Sequence, residues 1–349
     1  MGLGKISVAA KEGLMELDWI HQRTAFHALR EEWEDLLERS VTRVPFLHHT
    51  FLSQWWDTLG GGEWAGGELW IALGREKGNL RGIAPLFMPQ GSSEGMLLGS
   101  VEISDYLDIL AAPEDVDTFV RCLLEELEEN RVEGWSGLNL YNLPAASPTP
   151  GALKRAAEQL GWQYYEEGLA PCPGVALPAD WETYLAGLDK KQRHEIRRKI
   201  RRGEEKGLRF RLAEDVDEFP HLLESMLDLM KRDERKEAFL TDAMQKHFRQ
   251  SLLAAFKEGW LQLAVLEKEG NLAAAYLNFD EHDTLWVYNS ALNPDYGALS
   301  AGWVLLGNII QWAIEHRKKE LDFMRGDERY KYRFGGVDRA ILQVRVERS

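Results

Sequence analysis

Cysteine is almost missing from this chain: Cys122 and Cys172 are the only two, and they stand far apart. That excludes a disulfide framework and a cysteine-rich metal site, and makes a reducing cytoplasm the expected compartment. Long apolar runs are missing as well; none approaches the roughly 18 uninterrupted apolar residues of a membrane span. The opening "MGLGKISVAAKEGLMEL" has no apolar leader core, and Ile6 breaks the myristoylation pattern. No Walker loop, dinucleotide fingerprint or Ser–His–Asp signature occurs. His48 and His49 are adjacent and have no third ligand at metal spacing, so no metal is expected; a place at a domain interface suits them better.

Positive charge is scarce in one half only. Residues 1–180 hold 13 Lys/Arg against 28 Asp/Glu, whereas residues 181–349 hold 29 of each. The first half repels polyanions, so the charge balance argues against nucleic acid as a partner. One basic run stands out: eight of the 13 residues from Lys190 to Arg202 are Lys or Arg. Leu185, Leu188, Ile196 and Ile200 give it a sparse apolar seam at helical spacing. Arg193, Arg197 and Arg201 form a ladder beside the seam. Asp189, with Gln192 three residues on, resembles a capping box. The run can be a solvated helix docked on the acidic half, a cleft wall that attracts phosphates or an anionic acceptor, or a tRNA contact.

With 349 residues, 44% hydrophobic and 28% charged, the chain reads as about two globular domains. Periodicity predicts strands at 13–20, 105–110, 137–143 and 162–167, a hairpin around Lys77–Asn79, and helices at 24–40, 50–60, 115–130 and 150–161. The second half repeats the order. It has a strand at 208–214, two helices, three strands, the helix from Leu299, the strand "LDFMRG", a short helix around "DERYKYRFGG" and a last strand "AILQVRVER". Both halves spell β-α-α-β-β-β-α-β-α-β. The fold class is therefore α/β (α+β), with two similar mixed sheets flanked by helices. The Pro- and Gly-rich 168–180 segment is the expected linker, dividing domains 1–175 and 176–349.

The order β-α-α-β-β-β-α-β is that of GNAT-type N-acyltransferases. "LDKKQRHEIRRKIRR", "NLAAAYLNF", "ALSAGWVLL" and "LDFMRGDERYKYRFG" resemble segments of the CelD-like acetyltransferases, a branch allied to the FemAB transferases. "PFLHHTFLSQWWDTLG" and "GIAPLFM" are similar to that family's first half. The resemblance implies two tandem GNAT-like domains and transfer of an acyl group, acetyl in the first instance, to an amine. It implies acetyl-CoA or another acyl-CoA as cosubstrate, and an acceptor cleft between the domains. The acceptor would be a small-molecule amine, an amino sugar, or a polysaccharide or cell-envelope precursor. Aminoacyl-tRNA, used by FemAB relatives, and a non-catalytic binding protein on the same fold are the alternatives.

Residue chemistry places the site in the second half. Leu299, Ser300, Ala301 and Gly302 open a helix after a strand, and no acid lies between Tyr296 and Glu315. Free N–H groups and the helix dipole favour a pyrophosphate there. The corresponding helix in the first half opens with Glu114, Asp115 and Asp117, so that domain is expected to lack a cofactor site. The bland alternative is that Ser300 is a plain N-cap and Gly302 a packing glycine. In "RGDERYKYRFGG", Asp327 or Glu328 is a candidate general base, Tyr330 a proton donor to the leaving thiolate, and Lys331 a neutraliser of phosphate or carboxylate. A capped turn with packed aromatics accounts for the same residues. Asp105, Tyr106, Arg193, Arg197 and Asn289 are the substrate-binding candidates.

Overall fold

The computed structural model describes residues 15–62, 66–99, 101–129 and 135–348. The first unit opens with β1 (Glu16–Ile20), α1 (Arg23–Ala28), α2 (Arg30–Leu37) and α3 (His49–Leu59). The helix expected over 24–40 is thus broken at Leu29. β2 (Gly67–Glu76) and β3 (Asn79–Pro89) form a hairpin. It turns at Lys77 and Gly78, whose φ values of 50° and 82° suit a two-residue hairpin turn. There follow β4 (Glu94–Leu97), β5 (Leu110–Ala111), α4 (Val116–Glu129), β6 (Gly137–Pro144), α5 (Thr149–Leu160) and β7 (Gln163–Pro171). α4 buries Val116, Phe119, Val120, Leu123, Leu124 and Leu127, the stripe that three- and four-residue spacing produces. Phe119 lies on Gly74 and Gly82, which face each other across the hairpin. A Cβ on either glycine would stand 2.6 or 2.3 Å from its ring.

The second unit comprises β8 (Gly174–Ala176), α6 (Trp181–Gly187), α7 (Lys190–Glu205), β9 (Arg209–Leu212), α8 (Phe219–Met230), α9 (Glu234–Phe239) and α10 (Asp242–Glu258). It continues with β10 (Leu261–Lys268), β11 (Asn271–Glu281), β12 (Thr284–Leu292), α11 (Ala301–Glu315), β13 (Glu320–Asp322), α12 (Arg329–Arg333) and β14 (Ala340–Glu347). The Thr241 hydroxyl caps α10 by accepting the Met244 N–H, and Gly259 ends it at φ 86°. β4, β8 and α9 are too short to leave a periodic signal. "DYLDIL" is mostly loop; only Leu110 belongs to a strand.

The first sheet runs β1-β2-β3-β4-β6-β14-β7, with β5 on β3; the second runs β8-β13-β12-β11-β10-β9. The architecture is two mixed sheets with flanking helices, in tandem. The sheets do not divide the chain at one point, because the last strand, β14, lies between β6 and β7 of the first sheet. Nor is 168–180 a free linker. β7 ends at Pro171 and β8 begins at Gly174. Cys172 N–H donates to Arg339 O, and Phe323 N–H to Pro173 O. Proline and glycine mark a bend between paired strands, since every backbone group buried there needs a partner.

Apolar packing joins the units. One core runs from the first sheet through α3, α8 and α10 to one face of the second sheet. A second core lies between the other face and α11. His48 ties the units together: Nδ1–H donates to Glu34 and Nε2–H to Glu281, each at 2.8 Å. Two carboxylate acceptors require both ring nitrogens to carry protons. Burial pulls the His48 pKa down, but the two carboxylates outweigh it and raise it to about 10. His49 points inward, with Nε2 on Phe26 O.

Candidate active site

β12 and β13 run parallel but pair only over Thr284–Trp286 and Glu320–Asp322. The register of β12 on β11 skips Tyr288, passing from Val287 to Asn289. Such a bulge bends the strand that carries it. Beyond Trp286 and Asp322 the strands part and a fork opens at their C-terminal ends, where ligands of open sheets gather. The parallel pair of the first sheet, β4 and β6, also meets over only two residues each. There the chain's own segment lies along β6: Leu107 N–H donates to Asn142 O at 2.9 Å, and Asn142 Nδ2 to Ser104 O at 2.7 Å.

The base of the second fork is closed by the first unit. Tyr106 donates its hydroxyl to Asp322, 3.1 Å from Oδ1 and 2.9 Å from Oδ2. Its ring meets Trp286 edge-on at 5.4 Å. Burial pushes Asp322 up to about 7, against hydrogen bonds from Met324 N–H and Tyr106. Asp105 pairs with Arg325 at 3.3 Å, and burial holds its carboxyl above the usual range despite that partner. Asp105 and Tyr106, expected at a substrate, are committed to the domain junction.

The mouth of the fork gathers Tyr276, Asn289, Ser290, Glu328, Tyr330 and Lys236. Lys236 Nζ reaches from α9 to donate to Ser290 O. Burial pushes its pKa down, while Asp233 and Glu328 pull the other way. The charge of Glu328 is also felt by Tyr276 and Tyr330, both held protonated mainly by burial. Asn289 accepts the Ser290 N–H at 2.8 Å.

Lys331 is not where a phosphate neutraliser would stand. It is buried, and its Nζ donates to the carbonyls of Met324, Arg325 and Gly326 at 3.1, 2.7 and 3.2 Å. Glu328 pairs with it at 2.9 Å. The turn is tight: Gly326 has φ 118°, and a Cβ there would meet Glu328 Oε2 at 2.5 Å. Lys331 therefore fixes the loop and Glu328 with it. Asp327 and Glu328 are both exposed, and of the two it is Glu328 that pairs with Lys331.

Ser300 adopts left-handed backbone geometry (φ 55°, ψ 45°) and makes no side-chain cap, although it occupies the N-cap position. The N–H groups of Ala301 and Gly302 begin the helix, where no intrahelical acceptor exists. The first turn contains no acid. Gly302 packs against Leu292, whose Cδ2 would lie 2.8 Å from an added Cβ.

The basic helix α7 packs on α11, not on the acidic first half. A Cβ at Gly203 would meet Val304 at 3.1 Å, and one at Gly307 would meet Ile200 at 2.8 Å. Arg193 donates to Ala186 O at 3.4 Å, Arg197 pairs with Glu182 and Arg201 with Glu205 at 3.7 Å. The ladder's partners thus all lie in its own unit. Asp189 caps α7 through Lys191 N–H, and Gln192 supplies no return bond of a capping box. The C-terminal half of α7 passes the start of α11, where Lys199 Nζ stands 3.8 Å from the centre of the Trp303 ring.

The sequence offered no signal for Lys236, which looks like a surface charge in "RDERKEAF". Tyr276 sits inside "NLAAAYLNF" but carries no mark of its chemistry, and Asp322 reads as a polar strand end.

The forked parallel pair thus leads to a helix start free of acidic residues. Residues 190–332 match the family model of the acetyltransferase (GNAT) domain. Those residues, most of the second unit, therefore carry a GNAT-type domain. The crystal structure of FemX matches with TM-score 0.65 and 10% identity, over 95% of this chain and 97% of that one. The C-terminal domain of a putative lysylphosphatidylglycerol synthetase from Agrobacterium fabrum matches with TM-score 0.57 and 12% identity, over 94% and 93%. A tandem GNAT protein from the clavulanic acid biosynthesis pathway matches with TM-score 0.51 and 12% identity, over 94% and 98%. These likenesses show a shared two-unit fold. Comparison with curated proteins finds no match. Among the described residues, no helix is long and apolar enough to cross a membrane.

Proposed function

We propose that this protein is an N-acyltransferase that moves an acyl group, acetyl in the first instance, from acyl-CoA to an amine. The observation that carries the reading is the fork beyond Trp286 and Asp322, leading directly to the acid-free start of α11. The residues present fit the donor. The N–H groups of Ala301 and Gly302 and the dipole of α11 suit a pyrophosphate, and the cations of α7 flank them.

Acyl-CoA supplies the activated thioester. The amine nitrogen bonds to the acyl carbon as the carbon–sulfur bond breaks. Glu328, held by Lys331, takes the proton from the amine, directly or through water. Tyr330, kept protonated by burial, gives its proton to the departing thiolate. Asn289 lies at the bulge, on the strand that lines the path.

Calorimetric titration with CoA and acetyl-CoA tests this. Binding is expected, with loss in Gly302→Asp, which sets a carboxylate in the anion site, and retention in Gly302→Ala. Absence of binding to any acyl-CoA at millimolar concentration overturns the reading.

A second reading, aminoacyl-tRNA as donor, is favoured by the outer surface of α7. Arg198 and Arg202 are exposed, and among the described residues no carboxylate lies within 4.0 Å of either. Filter binding of tRNA at low salt, weakened by Arg198→Glu and Arg202→Glu, would support it. No signal there removes it.

A further inference from the structure

A pocket of about 200 Å³ lies between the α8–α9 turn and the end of β12. Its walls include Met230, Arg232, Asp233, Lys236, Ser290 and Leu292. That is smaller than the usual site for a drug-sized ligand and suits one small polar group. Two of its residues are cations, and they differ. Arg232 donates to Asn293 Oδ1 at 3.1 Å and to Asp295 at 3.3 Å. Lys236 is half-buried, and its one hydrogen-bond partner among the described residues is the Ser290 carbonyl. Among the described residues no carboxylate stands within 4.0 Å of its ammonium. The pocket's one acid, Asp233, caps α9, its Oδ1 accepting the N–H groups of Arg235 and Lys236.

A desolvated ammonium with one neutral partner is under-compensated, and an anion beside it restores the balance. The place matters as much as the charge. Ser290, which holds Lys236, is on the strand that lines the fork and is opposite Tyr276. Leu292 stands between the pocket and Gly302. The pocket is thus beside the reacting end yet screened from the start of α11.

We propose that this pocket takes an anionic group of the acceptor, a carboxylate or a phosphate, with Lys236 as its anchor. The acceptor is then an amine that carries its own anion within a few bonds of the nitrogen. The inference rests on the acyltransferase reading for the word acceptor, and on the pocket alone for the anion.

The test is calorimetric titration of the full chain with two matched pairs: phosphoethanolamine against ethanolamine, and glycine against glycinamide. Each is run with and without saturating CoA. The expected result is that at least one anionic member binds about tenfold tighter than its neutral partner, with CoA present as well as absent. Lys236→Met should erase the difference and leave CoA affinity unchanged; Lys236→Arg should retain part of it. Equal binding of both members of both pairs overturns the proposal, even where CoA binds normally. Displacement of the anionic member by CoA also overturns it, because the anion would then belong to the donor. Selective anion binding without binding of any acyl-CoA keeps the pocket and overturns the acyltransferase reading instead.

Discussion

Tyr106, from the first unit, gives its hydroxyl to both carboxylate oxygens of Asp322, at the last paired residue of β13. This contact closes the base of the fork and couples one unit to a fork-lining strand of the other. Tyr106→Phe removes the hydroxyl from Asp322 and leaves it the Met324 N–H and the Arg339 ion pair at 3.6 Å. A loss of about 1–3 kcal/mol in unfolding free energy is expected, measured by denaturant titration.

Asp322 also sets a pH dependence. Burial raises its folded pKa to about 7, against about 3.9 unfolded. The native state therefore binds more protons between these values, and stability from this group falls as pH rises through about 7. Asp322→Asn abolishes that slope. Thermal unfolding from pH 4.5 to 8 should show the mutant losing less stability than the parent across the range; parallel curves would contradict the assignment.

His48 has a dependence of the same sign in a higher pH window. Its folded pKa of about 10 lies above the unfolded value of about 6.5. Its contribution is complete below the unfolded value and is lost as pH rises through about 10. His48→Ala leaves Glu34 and Glu281 facing each other without the cation, at a cost of about 3–5 kcal/mol. A lowered melting temperature at pH 7, converging on the parent above pH 10, is the expected readout.

Lys331→Met should loosen the 324–326 turn rather than simply remove a charge. Three carbonyls and Glu328 lose their donor, at about 1–3 kcal/mol for each buried acceptor left unmet. Lower stability, together with a lower kcat at unchanged acyl-CoA affinity, is expected. Weakened CoA binding alone would return Lys331 to the role of phosphate neutraliser.

Removal of residues 340–349 should damage the first unit, although they close the second in sequence. Ile341, Val344 and Val346 are fully buried between β6 and β7. The truncated chain is expected to lose its cooperative unfolding transition in circular dichroism.

Much of this protein was legible in its residues. The apolar stripe of α4, the Lys77–Gly78 turn and the acid-free segment before α11 follow from local periodicity and composition, which depend only on neighbours in sequence. So does the helical nature of the basic run, because Ile196 and Ile200 fall on one face. What the run packs against did not follow. Its ladder finds Glu182 and Glu205 and its seam finds Gly307, contacts fixed by long-range packing. The Pro- and Gly-rich bend read as a linker because composition cannot reveal that two sheets satisfy its backbone. The placing of Lys331, Asp105 and Tyr106 was equally hidden: each is a polar residue in a polar stretch, and burial alone turned it to the inside. Sequence determined which elements form and where an anion is tolerated. Only the tertiary structure decided that β12 and β13 part, that Tyr106 closes the fork between them, and that Lys236 is held on the Ser290 carbonyl beside it.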